Sequence, residues 1–384
     1  MIETFIELEW GVVLVNGQDA LAWIQALGQL LFIAFIIALF LGLNQRIQVY
    51  IWTRDIRSKL VILEGMAEEA RRKTLDYLVR NNTKNPELLL NKIVDFFIIE
   101  PVSIEPTDII KRLDHLVNIR IARFKDEFEK AMPDSDPVTR SRAEVSAEIT
   151  SALTLIQKIV KHYLLLGEKT KNWILIMQLQ LLMPQILRIA DSYRRALNDF
   201  LAGYPIGDSA GPLVALKLSN YSPNWVEVEH DTVVADIDFE GRKLILVKAK
   251  GPASTVGKPG TAVEKVVNEL IGKNVKPSLL LTVDAALKLE GEESGVIAEG
   301  VGAAIGDIGP EKIRFERISA EHKIPLRALI IKMSLEEAIQ AMNKKIYEGV
   351  EKAVARARDI ILAETKPGDA VIVAGIGNTN GVGQ

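Results

Sequence analysis

Apolar and polar residues alternate along this chain in three different ways. The first is a single uninterrupted block. Trp23 to Leu43 reads WIQALGQLLFIAFIIALFLGL and carries no charge over 21 residues. A helix needs about 20 such residues to cross a bilayer core, where every backbone polar group must be satisfied internally. The pattern predicts a transmembrane helix over 23–43, with Trp23 at one interface. The following flank carries Arg46, Arg54, Arg57 and Lys59, then Arg71, Arg72 and Lys73. The preceding flank carries Glu3, Glu7, Glu9 and Asp19 and no Lys or Arg. The positive-inside rule then predicts an N-terminus outside and a cytoplasmic body. A cleaved signal peptide is not expected, since a basic leading region is missing and the apolar run is too long.

The second regime has helical spacing. Ile56, Leu60, Leu63, Ala67, Ala70 and Leu78 recur at intervals of three, four and eight and define one face of a long helix. The stretch NNTKNP, Asn81 to Pro86, ends it. Further helices are predicted from Pro86 to about Ile99 and from about Thr107 to Met132, with Glu-Pro pairs at Glu100 and Glu105 between them. Two long helices then run from PDSDP at Pro133–Pro137 to about Leu201. Within them, Trp173 to Ile189 (WILIMQLQLLMPQILRI) is apolar on most sides but contains three Gln, Pro184 and Arg188. A buried bundle helix is the first expectation there, and a re-entrant or second spanning helix the alternative. So much apolar surface needs neighbours, which predicts self-association into a homo-oligomer.

The third regime begins at Tyr204, where Gly becomes frequent. Strand patterns appear at 232–239, 243–250, 279–284, 326–333 and 370–376, with helical patterns at 261–271 and 335–364. FEGR at Phe239–Arg242 reads as a hairpin turn. Strands alternating with helices predict an α/β domain with a mainly parallel sheet. The expected fold class is therefore α plus α/β, a combination of one transmembrane helix, a cytoplasmic helical bundle and a three-layer α/β domain. The expected boundaries are a short outer tail at 1–22, the span at 23–43, the helical domain at 44–203 and the α/β domain at 204–384.

Composition narrows the chemistry. A net charge of −3 and no Cys in 384 residues argue against nucleic acid as a partner, against disulfides and against thiolate metal sites. Abundant Ile, Val, Glu and Lys fit a thermophile. The four His residues, at 115, 162, 230 and 322, form no metal-binding spacing. No metal site is expected, and no cofactor is indicated.

Parallel sheets place ligands at the carboxyl ends of their strands, so four loops become candidates. Gly207-Asp208-Ser209-Ala210-Gly211-Pro212 leads into a helix. Lys250–Gly260, KGPASTVGKPG, leads into another. Asp284 stands where an apolar strand ends. Gly375-Ile376-Gly377-Asn378 follows the last strand. Asp208 and Asp284 are the candidate catalytic pair, since neighbouring carboxyls can share a proton and activate water. Each also has a plain structural role open to it, Asp208 as a helix cap and Asp284 in the next turn. Gly207, Gly211, Gly375, Gly377 and Asn378 are candidate ligand-binding positions, because glycine lets backbone amides approach a ligand closely. The Lys250–Gly260 loop is not a phosphate-binding P-loop, as Pro259 stands where Ser or Thr belongs. Gly375–Gly381 is followed by no helix, so it lacks the dinucleotide context. A phosphate-binding reading would rest on Lys248, Lys250 and Lys258.

Two resemblances follow from these motifs. VDAALKLEGE (Val283–Glu292), AEGVGAAIG (Ala298–Gly306) and GIGNTNGVG (Gly375–Gly383) resemble an uncharacterised archaeal membrane-protein family, which implies no activity. GDSAGP, LTVDAAL, EGVGAAIGDIGPEK with IPLRALIIKMS, and GIGN together resemble the phosphorylase/hydrolase-like domain of spore germination proteases and hydrogenase-maturation endopeptidases. That resemblance implies acidic residues acting in peptide cleavage, which map to Asp208 and Asp284. It departs in order: in those families GxGN precedes the Asp-containing loop, and here it stands at residues 375–378. A circular permutation would reconcile the two. Three functions are thus open: a membrane-anchored scaffold or ligand-binding assembly, a membrane-tethered peptidase-like hydrolase with a peptide or protein substrate, and a phosphate-binding protein.

Overall fold

A computed structural model describes residues 17–40, 43–96, 109–220, 224–306 and 309–384. The helical part comprises α1 (Gly17–Phe40), α2 (Leu43–Arg80), α3 (Pro86–Val94), α4 (Ile109–Ala131), α5 (Pro137–Thr170) and α6 (Trp173–Ala202). The Glu-Pro pairs at 100 and 105 lie outside the described residues.

The chain divides into two compact units. The first joins the start of the chain, up to Lys59, to residues 161–183. Here α2 is tied to α5 by Arg57 and Glu168 at 2.7 Å, and to α6 by Gln180, whose amide donates to Asp55. Helix α6 is one-sided. Ile176, Leu179 and Met183 are buried, while Trp173, Ile174, Leu181 and Leu182 are exposed. The buried bundle helix expected from composition thus has only one packed face. Among the described residues, α6 is the helix long and apolar enough to cross a membrane. In α1 the described apolar run is the shorter Gln25–Ala34, because much of the uncharged block at 23–43 lies beyond the described side chains.

The second unit holds residues 60–160 and 184–384. A 3-10 turn at Gly207–Ser209 opens its α/β part, which continues through α7 (Ala210–Leu218), β1 (Val226–Glu229), β2 (Thr232–Phe239), β3 (Arg242–Ala249), α8 (Pro259–Gly272), β4 (Leu279–Leu287), β5 (Ile297–Val301), α9 (Pro310–His322), β6 (Leu326–Met333), α10 (Leu335–Ile339), α11 (Lys344–Glu364) and β7 (Ala370–Gly375). The sheet order is β1-β2-β3-β7-β4-β6-β5. The four central strands are parallel and the outer ones antiparallel.

Burial explains the central strands. β7, AVIVAG, is buried at every position, as a strand covered on both faces must be. Leu279, Leu281 and Val283 of β4 pack with α7 and α11 on one face, and Leu280 packs with α8 and α9 on the other. The edge strands β1 and β5 are short and largely exposed, with Glu227, Glu229 and Glu299 on them, which discourages edge-to-edge pairing. Neither is among the strands expected from sequence. The segment 335–364, one helical pattern in sequence, is two helices. The Ser334 capping box starts the first, and Asn343 caps the second through Ile346 N.

Candidate functional site

The site grows from a mismatch in strand length. β7 pairs with β4 only as far as Gly375 opposite Val283, and Ile376 N then donates to Val283 O at 2.8 Å. Asp284 is the first β4 residue past that partner. Pleat alternation puts it on the same face as Leu280 and Thr282. Its carboxylate accepts hydrogen bonds from the backbone of Ala285, at 2.7 Å, and of Gly306. It is only 5% exposed.

Asp208 arrives from the other side. Its 3-10 turn is fixed by Gly207 N donating to Gln340 O and by Ser209 Oγ donating to Asn380 O. The start of α7 then meets the strand ends at backbone contact. A Cβ on Gly211 would stand 2.1 Å from Ile376 O and 2.5 Å from Val283 O, so no larger residue fits. Asp208 Oδ2 accepts the Asn378 backbone N–H at 2.8 Å. Gly377 lies beside it at φ 131°, and its Cβ would stand 2.0 Å from Asp208 O. Glycine at 211 and 377 is what brings the turn, the strand end and the last loop together.

The candidate residues Asp208, Asp284, Gly207, Gly211, Gly375, Gly377 and Asn378 therefore meet at one end of the sheet. The two carboxyls feel each other. Burial raises Asp284 well above the usual carboxylate range, and the Asp208 charge adds to it. Burial also raises Asp208, against the Asn378 amide that holds its charged form. No Lys or Arg figures among the groups acting on either one. Two buried carboxyls that act on each other without a cation resist ionising together, since each charge disfavours the other. Among the described residues no group of three or more His, Cys, Asp or Glu side chains could hold a metal ion.

The lysines of the phosphate reading do not converge. Lys248 is fully buried, donates to Gly383 O at 2.8 Å and lies over the Trp225 ring at 4.9 Å. Burial pulls its pKa down to about 8. Lys250 pairs with Glu227 at 2.6 Å.

Beside Asn378 lies a cavity of about 340 Å³ between α4, α5 and the 253–256 loop. Glu144 on α5 lines it, and burial pushes its carboxyl up to about 7. Sequence reasoning missed this group. A lone Glu on a helix gives no local signal, because its surroundings come from residues 231 and 253–256, far away in the chain.

Two family models match the chain. Residues 30–203 match "Protein of unknown function (DUF1512) N-terminal domain", and residues 206–383 match "Domain of unknown function (DUF1512) C-terminal". Comparison with curated proteins and with solved structures returned no match.

Proposed function

The chain belongs to the DUF1512 family, and from its paired carboxyls we propose that it is a membrane-associated hydrolase acting on peptide bonds through Asp208 and Asp284. One observation carries this reading. Two buried acidic side chains 76 positions apart in the chain (284 − 208) meet, without a cation, at the carboxyl end of a parallel sheet, the usual ligand edge of such folds. Buried unpaired carboxyls are costly to maintain, and groups perturbed in this way concentrate at functional sites.

The roles follow from the two environments. Asp284, the more strongly raised, holds the proton at rest. Asp208, steadied by the Asn378 amide, is the base. Asp208 takes a proton from water as its oxygen attacks the peptide carbonyl carbon. Asp284 gives its proton to the departing amine nitrogen as the C–N bond breaks. The proton taken up by Asp208 then returns the pair to its starting state. The joint presence of the GDSAGP, LTVDAAL and GIGN motifs, in a different order, supports peptide over other acyl substrates.

Membrane association is supported by the uncharged block at 23–43. With the basic flank after residue 43, the reading puts the α/β domain on the cytoplasmic side. A second reading, a self-assembling scaffold on the membrane, is favoured by the exposed apolar face of α6, where Leu181 is 71% exposed.

The test is incubation of the purified full chain with a defined peptide mixture, with products read by mass spectrometry. Cleavage by the wild type and none by Asp208→Asn or Asp284→Asn is expected. Equal cleavage by all three, or none by the wild type at any pH tested, would reject the dyad.

A further inference from the structure

The cavity beside Asn378 has an unbalanced charge arrangement. From α4 it is faced by Arg120, Lys125 and Glu129, from α5 by Arg140, Glu144 and Glu148, and from the turn before β2 by Asp231. Lys125 and Asp231 pair at 2.5 Å, and Arg120 and Glu148 at 3.2 Å. Arg140 donates weakly to Met132 O at 3.5 Å. Among the described residues Glu144 has no hydrogen bond and no ion pair within 4 Å, although it is mostly buried. Lys125 and Arg140 attract its charge from a distance, and burial outweighs them. A carboxylate left this way in a walled space is the natural counter-charge for a cation that arrives with a ligand.

Asn378 connects this cavity with the dyad. Its side chain faces the cavity wall, exchanging hydrogen bonds with Ser254 Oγ at 2.9 and 3.1 Å, while its backbone N–H holds Asp208. One residue thus has its side chain at the cavity and its backbone at the candidate catalytic carboxyl. Of the other polar groups on the wall, Ser254 N donates to Ser141 Oγ at 3.0 Å.

We infer that the cavity is a subsite for a primary ammonium group, held by Glu144, and that the group is the terminal amine of a peptide whose backbone runs past Asn378 toward Asp208. This rests on the hydrolase reading for the peptide but not for the ammonium. The volume suits a short peptide end rather than a folded protein surface.

Calorimetry on the full chain in detergent tests it with three probes: trialanine amide, its N-acetyl form and n-butylamine. Trialanine amide binds about tenfold or more tightly than the acetylated form, the scale of one charge-assisted contact. Glu144→Gln, nearly isosteric, removes that preference. Binding is strongest between about pH 7 and 8, where Glu144 is ionised and a terminal amine still carries its proton. Equal binding of the free and acetylated peptides, or no binding of any probe, overturns the inference. Butylamine binding as tightly as the peptide overturns the assignment to a peptide end. The same titrations on Asp284→Asn separate the two readings. An amine preference that persists there while the wild type cleaves nothing counts against the dyad alone. Cleavage without any amine preference counts against the subsite alone.

Discussion

The two ends of the parallel sheet use buried polar groups in opposite ways. At the amino end, Arg242 opens β3 and is 6% exposed. Each of its three side-chain nitrogens has a partner: Nε donates to Thr365 Oγ1, one terminal nitrogen to Thr365 O, and the other to Glu240 O, each at 2.8–2.9 Å. This ties the start of β3 to the segment before β7. At the carboxyl end, Asp284 is as deeply buried and Asp208 partly so, but they have only backbone amides and each other. A satisfied buried charge serves stability, and an under-compensated one is a cost that chemistry can use. On the proposed reading the amino end is the structural edge and the carboxyl end the working edge.

The comparison can be broken in several ways. The largest effect is expected at Asp284. Asp284→Asn lowers peptide cleavage by about 10²–10⁴-fold, the usual contribution of a positioned acid or base, while thermal unfolding shows the variant at least as stable as the wild type at neutral pH. The sign follows from linkage. A carboxyl whose pKa is raised on folding contributes stability below its unfolded pKa, and that contribution is lost as pH rises through the folded value. Asparagine cannot ionise, so the loss disappears. Gly211→Ala comes next. Its Cβ collides with the backbone of Ile376 and Val283, and a loss of about 2–4 kcal/mol is expected by denaturant titration, with cleavage impaired in the folded fraction.

Arg242→Met tests the other edge. It strands Thr365 O and Glu240 O and should cost about 2–3 kcal/mol, yet leave cleavage per folded molecule unchanged. Lost cleavage there would dissolve the contrast between the two ends. The smallest effect belongs to Glu144→Gln. The wild type loses stability as pH rises from the unfolded value near 4.5 through about 7. The variant's pH–stability curve is flatter over that window.

Much of this architecture is visible in the sequence. β2 and β6 occupy 232–239 and 326–333, as alternation and β-branched residues indicate, and the uniformly apolar β7 reads as a central strand. β1 and β5 are missing from the expected strands: VEVE alternates but is only four residues long, and IAEGV carries little apolar signal, so both stand as edge partners of stronger neighbours. Asp208 and Asp284 stand out individually, each beside glycine or at a strand end. Their meeting does not, because it depends on β7, the last strand in the chain, inserting between β3 and β4. No local pattern specifies that order. Glu144 was hidden for the same reason, since its setting is made by loops more than eighty residues away.

The central claim is that Asp208 and Asp284 hold a common proton beyond the range of ordinary carboxyls. Infrared difference spectroscopy across a pH titration, wild type minus Asp284→Asn, reads that proton through the carbonyl stretch of a protonated carboxyl. The account predicts a protonated-carboxyl band that persists above the ordinary carboxylate range and is absent from Asp284→Asn. A wild type whose difference band vanishes within the ordinary carboxylate range would contradict it.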